Sequence, residues 1–189
     1  MSLLKSEWRK LVYVRAHWGL LIGAVVLAGF GTAVTPIILD SNSATFGLAL
    51  DQQTAVDSVY ANAISSYLFA IIIGIMLMSG EFRHGTAVAT FLTAPKRGTV
   101  LANKLGIAAI GGALVMVIST AAGIAAGWVT LSFFENVAEP SSGVFVNTMI
   151  AAVVSGSILG IVGVAIGTLI RNQMLAITGS LIYLFVVDP

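Results

Sequence analysis

The chain has 189 residues, of which 58% are hydrophobic and only 9% are charged, and its mean hydropathy is +1.00. One soluble core could not cover so much apolar surface, so the composition indicates an integral membrane protein. The net charge of +1 comes from basic residues that form no large cluster, which argues against nucleic-acid binding, and the absence of cysteine excludes disulfides and thiolate chemistry.

The first predicted element is an amphipathic helix over residues 1–17. At helical spacing its apolar and basic side chains fall on different faces, with Leu4, Trp8, Leu11 and Val12 on one and Lys5, Arg9 and Lys10 towards the other. This pattern predicts an interfacial elbow helix that lies on the membrane surface. The alternative is an ordinary basic segment that only sets the orientation of the chain.

Uncharged runs predict membrane-spanning helices at residues 19–39, 59–79, 105–132, 144–170 and 174–187. A helix needs about 20 apolar residues to cross the hydrocarbon core, so the last run, with 14, is short. The predicted fold is all-α and polytopic, with residues 1–189 in one transmembrane domain and a long connection at residues 80–104.

The charges predict which way the chain is threaded. A cytoplasmic N-terminus would place all nine Lys and Arg residues inside, where basic loops are retained. The predicted outer loops and the C-terminus carry only acidic charges, at Asp40, Asp51, Asp57, Glu135, Glu139 and Asp188. We therefore predict that the N-terminus is cytoplasmic.

The sequence offers no candidate for a catalytic, cofactor-binding or metal-binding residue. None of the four long runs contains Asp, Glu, Lys, Arg or His, which disfavours an intramembrane enzyme or a proton relay. His17 and His84 lack the spacing of a metal site. The chain also has no GxxxxGK[ST] loop, so ATP hydrolysis of that type would require another chain.

Glycines recur at helical spacing in the predicted fourth span, at Gly156, Gly160, Gly163 and Gly167, and a shorter repeat occurs in the third, at Gly123 and Gly127. Such spacing forms a stripe that lets another helix approach closely. Packing within one chain is one interpretation, and a surface that slides or rotates against a neighbour is the other.

The connection at residues 80–104 contains a short amphipathic pattern. Four apolar residues recur at helical spacing, Ala87, Val88, Phe91 and Leu92, before Pro95 and Gly98 break the chain. A simple loop would need only a few polar residues. We therefore predict a docking helix for a cytoplasmic partner.

The same connection resembles the loop after the second span of ABC-2 type transporter permeases. The resemblance rests on the order E-x-x-x-G-T, eight residues, P-x-R and a later K, formed by Glu81, Gly85, Thr86, Pro95, Arg97 and Lys104. K-S-E-W-R-K-L at residues 5–11, L-I-R-N-Q at 169–173 and L-F-V-V-D-P at 184–189 are similar to the corresponding regions of the family. The resemblance thus covers nearly the whole chain.

The resemblance implies a half-permease that exports an amphiphilic, peptide, drug or lipid-like substrate across the plasma (inner) membrane of a prokaryote. It implies a second permease subunit, identical or homologous, and two ATP-binding subunits that bind ATP and Mg. It also implies that the connection is a coupling helix whose ATPase-coupling residues are Glu81, Arg83, Gly85, Thr86, Phe91, Pro95 and Arg97.

This sequence departs from the usual pattern of the family in one respect, the number of spans. Family members usually have six spans, and this sequence ends where a fifth should end, so we expect either a piece of a longer polypeptide or a truncated protein. A non-transporting scaffold, or an immunity or assembly factor, is the alternative to a transporter.

The predicted orientation can be tested with single cysteines, because the chain has none of its own. Cysteines at Ser41 and Ser141 should react with an impermeant thiol reagent on intact cells, whereas a cysteine at Thr99 should react only after lysis. Labelling of Thr99→Cys in intact cells would reverse the orientation.

Overall fold

A computed structural model describes residues 9, 12–83, 97–170 and 172–187. They form α1 (Arg15–Ser41), α2 (Ser43–Phe46), α3 (Gln53–Ala61), a 3-10 turn (Asn62–Ile64), α4 (Tyr67–Arg83), α5 (Arg97–Leu131), α6 (Val144–Leu169) and α7 (Gln173–Val187). The described residues contain no strand, so the prediction of an all-α fold is confirmed.

Several of these helices match the length and apolar character of membrane spans. Four segments are long and apolar enough to cross a membrane: Arg15–Ser41, Gln53–Gly80, Val100–Leu131 and Val144–Leu169. A fifth, shorter apolar helix covers Gln173–Tyr183. Together these helices confirm a polytopic membrane protein.

Several helix ends differ from the predicted spans. The helical segment of the predicted span 59–79 begins earlier, at Gln53, and is interrupted by the 3-10 turn, while the helix of the predicted span 105–132 begins at Arg97. Of the predicted connection 80–104, residues 80–83 belong to α4 and residues 97–104 to α5, and residues 84–96 lie outside the described residues. The physical reason is that backbone hydrogen bonds continue a helix past the end of its apolar run.

The predicted interfacial helix over residues 1–17 falls mostly outside the described residues. Within that range, α1 already begins at Arg15, so the last residues of the segment belong to the first long helix. The rest of this prediction is not tested by the described part of the chain.

Consecutive long helices alternate in direction. The helices α1 and α5 run the same way, because Gly29 lies against Ala126, while the earlier residues Leu21 of α1 and Val115 of α5 line one cavity. The helices α4 and α6 run the opposite way, as the approach of Gly156 to Gly112 and of Gly160 to Ala108 shows for α6. We call the end where α1 and α5 begin and α4 ends the basic end, and the opposite end the acidic end.

The glycine stripe of α6 lies against the backbones of two other helices. A β-carbon at any of its four positions would come closer than 3.0 Å to the facing helix. Gly156 faces Gly112 and Gly160 faces Ala108, both on α5. The first half of the stripe therefore packs within the chain, against α5.

The second half of the stripe packs against α4. Gly163 faces Ile71 and Gly74, and Gly167 faces Ile75. Because α6 meets α5 with one part of the stripe and α4 with the other, it holds these two helices together.

Gly123 and Gly127 serve a different contact. They lie against Thr32 of α1, and Gly123 also approaches Ala63 of the 3-10 turn. Sequence spacing revealed these glycines but not Gly74 and Gly112, the small residues against which the stripe of α6 packs. Gly74 and Gly112 belong to no regular repeat along their own helices, so periodicity alone could not identify them.

The glycine contact predicts the effect of adding a side chain. Gly160→Leu should destabilise the bundle by about 1 to 3 kcal/mol, the usual range for overpacking, and should lower its thermal unfolding temperature in detergent. Gly106→Leu is the matched control, because nothing lies within 4 Å of a β-carbon at Gly106. Equal stability of the two variants would contradict the packing role of the stripe.

Candidate functional site

The two ends of the bundle carry opposite charges. Among the described residues, the basic end contains Arg15, Arg83, Arg97 and Lys104, together with the single acid Glu81. The acidic end contains Asp40, Asp51, Asp57, Glu135 and Glu139. This separation makes the basic end suited to an anionic surface, and the orientation of the bundle in the membrane stays a prediction.

The helices α4 and α5 form a hairpin at the basic end. The contacts between α1 and α5 place the start of α1 well along α5, so that α5 extends past it by about a dozen residues, or roughly 18 Å. The end of α4 at Arg83 and the start of α5 at Arg97 flank the connection 84–96. Both of these helix ends therefore lie at the basic end of the bundle.

The predicted coupling residues fall around this connection. Glu81 and Arg83 lie in the last turn of α4, and Arg97 is the first residue of α5. The other predicted residues, Gly85, Thr86, Phe91 and Pro95, lie outside the described residues. The coupling roles of all seven stay predictions.

Lys104 is a feature of the hairpin that sequence reasoning underestimated. Its side chain is only 1% exposed, although it lies two turns from the start of α5. A buried ammonium group is costly unless polar groups compensate it, and Lys104 does have a polar or electrostatic partner in the structure. The signal in the sequence was a lone lysine at the margin of an apolar run.

A second feature that was missed is the break between α3 and α4. Asn62 donates hydrogen bonds from Nδ2 to Thr35 Oγ1 at 2.7 Å and to Gly31 O at 3.3 Å. The hydroxyls of Ser66 and Ser119 lie 2.6 Å apart and join α4 to α5. The polar residues in N-A-I-S-S at 62–66 were the available signal, because such residues re-satisfy the backbone where a membrane helix breaks.

Two roles are open to the polar side chains of the described residues: binding a metal ion, or bonding within the helices. No three His, Asp or Glu residues come together in the described ranges in a way that could hold a metal ion. Most hydroxyls of the bundle return to their own helix, as Thr32 does to Ala28 O at 2.7 Å and Ser79 to Ile75 O at 2.7 Å. Such groups fix helices and do not provide a nucleophile or a base.

A family model described as ABC-2 family transporter protein matches residues 3–187. The chain belongs to the ABC-2 transporter family. The match spans every described helix, so this ABC-2 protein is a membrane-embedded permease subunit of an ABC transporter, which associates with an ABC ATP-binding subunit. No curated protein and no solved structure matches the chain.

Proposed function

We propose that this ABC-2 permease exports an amphiphilic, peptide, drug or lipid-like substrate and is driven by two separate ATP-binding subunits. ATP and Mg would be bound by those subunits. A second permease subunit, identical or homologous, would complete the pathway in the plasma membrane of a prokaryote.

The observation that carries this proposal is the α4–α5 hairpin at the basic end. The end of α4 at Arg83 and the start of α5 at Arg97, which flank the connection 84–96 in the sequence, lie beyond the start of α1, and the buried Lys104 lies two turns into α5. A partner that pushes on this connection would act directly on two central helices, since α4 and α5 belong to the two most buried of the four long spans. This arrangement supports a mechanical coupling site.

The chemistry of the bundle supports the proposed substrate class. The polar side chains buried in its described part are mainly hydroxyls, including Thr32, Ser66, Ser119, Thr120 and Thr148. These hydroxyls pack between helices, and the four long uncharged runs of the sequence offer no charged ligands of the kind that a small ion crossing the membrane would need. The substrate is thus expected to have a large apolar part.

A non-transporting scaffold is the second candidate, because it could use the same basic end to hold a soluble protein. Reconstitution of the permease with its ATPase separates the two functions. A transporter should change the rate of ATP hydrolysis when substrate is present, whereas a scaffold should leave that rate unchanged.

The proposed docking helix gives a sharper test. Phe91→Ala should weaken binding of the ATPase about thirtyfold, because truncating a buried aromatic anchor commonly costs about 2 kcal/mol. Binding is measured by titrating the ATPase onto the permease in nanodiscs, and coupling by the ATPase rate. Insertion and folding should be unchanged.

Phe133→Ala is the matched control for this variant. Phe133 is 80% exposed and follows α5 at the acidic end, the end opposite Arg83 and Arg97. If Phe91→Ala binds the ATPase as tightly as Phe133→Ala and the parent, the connection is not a docking site for the ATPase.

A further inference from the structure

Two connections close the acidic end of the bundle. The first leads from α1 through α2 into α3, which opens the segment Gln53–Gly80, and the second links α5 to α6 through residues 132–143. Between and beneath them lies an apolar cluster of buried residues: Leu39, Leu50, Ala55, Val56, Val59, Tyr60, Leu131 and Val144. Side chains of both connections, Leu48 from the first and Phe134, Val137 and Ala138 from the second, pack against this cluster.

Two hydrogen bonds join the connections directly. The backbone N–H of Ala138 donates to Leu50 O at 2.8 Å, and the backbone N–H of Ser141 donates to Asp57 Oδ1 at 2.9 Å. The second bond is charge-assisted and joins residues 84 apart in the sequence. Asp57 is only partly buried, so water can replace its partner when the connections separate.

The first connection is attached to the bundle through the helix break. The 3-10 turn Asn62–Ile64 follows α3, and α4 resumes at Tyr67. A short 3-10 segment inside a long helix often marks a hinge, because its hydrogen bonds are weaker than those of an α-helix. Ser65 Oγ is buried and has no hydrogen-bond partner within the described chain, so the break is not fully satisfied in this conformation.

The start of the hinge is fixed to a neighbouring helix. Asn62 bonds to Thr35 and to Gly31 of α1, whereas α3 on the other side of Asn62 meets the second connection through Asp57. Rotation about residues 62–66 could leave α4 and α1 in place, but α3 would also have to separate from Gly127 of α5 and Phe145 of α6, which lie against its Val59 and Tyr60.

We propose that residues 48–61, which end in α3, and residues 132–143 are the two leaves of a gate at the acidic end, with the Asp57–Ser141 hydrogen bond as its latch. The gate opens when α3 turns about residues 62–66 and separates from residues 132–143. This inference rests on the proposed function, since an exported substrate leaves at the end opposite the coupling connection. Opening exposes the apolar cluster, which biases the gate towards the closed state.

The latch is tested with a single reporter cysteine. Val59 is fully buried in the apolar cluster, and the chain has no other cysteine, so Val59→Cys should react with a hydrophilic thiol reagent only when the gate opens. The rate is measured on the full chain in nanodiscs. Adding Asp57→Ala should raise it by about tenfold or more, the effect of losing one charge-assisted hydrogen bond.

Two further variants keep this test specific. Asp51→Ala removes the same charge from the same connection, but Asp51 is exposed and accepts no hydrogen bond in the described structure, so the labelling rate should stay at the parent value. Asp57→Asn keeps an acceptor and should raise the rate less than Asp57→Ala. Equal rates for all variants, or rapid labelling of Val59→Cys alone, would overturn the latch.

A disulfide tests whether the gate must open. Leu50→Cys with Ala138→Cys should staple the two leaves, and oxidation should abolish substrate-dependent ATPase activity until a reductant is added. The control is Gly29→Cys with Ala126→Cys, which joins α1 to α5 where a β-carbon at Gly29 lies 3.9 Å from Ala126 Cβ, a spacing that suits a disulfide.

The control disulfide joins helices that the gate leaves in place, so it should preserve activity. Full activity of the oxidised Leu50→Cys/Ala138→Cys complex would show that the leaves need not separate and would overturn the gate. If the parent complex has no substrate-dependent activity, the proposed function fails, whereas the labelling rates still decide the latch.

Discussion

The close contact between the backbone of α6 and those of α4 and α5 is the constraint on which the bundle depends. Lipid tails are as apolar as the helix surfaces, so the hydrophobic effect does not draw membrane helices together. Close packing must do so, and it is possible here because Gly156 and Gly160 meet Gly112 and Ala108 without intervening side chains. The many small van der Waals contacts formed in this way hold the centre of the bundle.

Polar groups are accommodated around this centre at little cost. Hydroxyls such as those of Thr32 and Ser79 bond to carbonyls one turn earlier in their own helices, so the bundle carries them without exposing unpaired groups to lipid. The pair Ser66–Ser119 instead bonds between helices and fastens α4 to α5 beside the helix break. Hydroxyl hydrogen bonds thus occur both within single helices and between helices, beside the break that precedes α4.

The helix α4 links the two ends of the protein. It begins beside the break, towards the acidic end, and ends at the connection 84–96 at the basic end. The helix α4 thus connects the proposed coupling connection to the break at residues 62–66, about which the proposed gate turns. The permease can therefore combine an energy-receiving end and a release end within a small bundle.

The sequence by itself determined the all-α membrane fold, the approximate spans and the charge contrast between the ends, because hydropathy and charge are properties of local composition. It also revealed the stripe from Gly156 to Gly167, whose spacing follows the helical repeat. Only the tertiary structure decided that Gly74 and Gly112 receive this stripe, that Lys104 is buried and that Asp57 bonds to Ser141. These facts depend on which helices become neighbours, and residues distant in sequence carry no periodic signal of their contact.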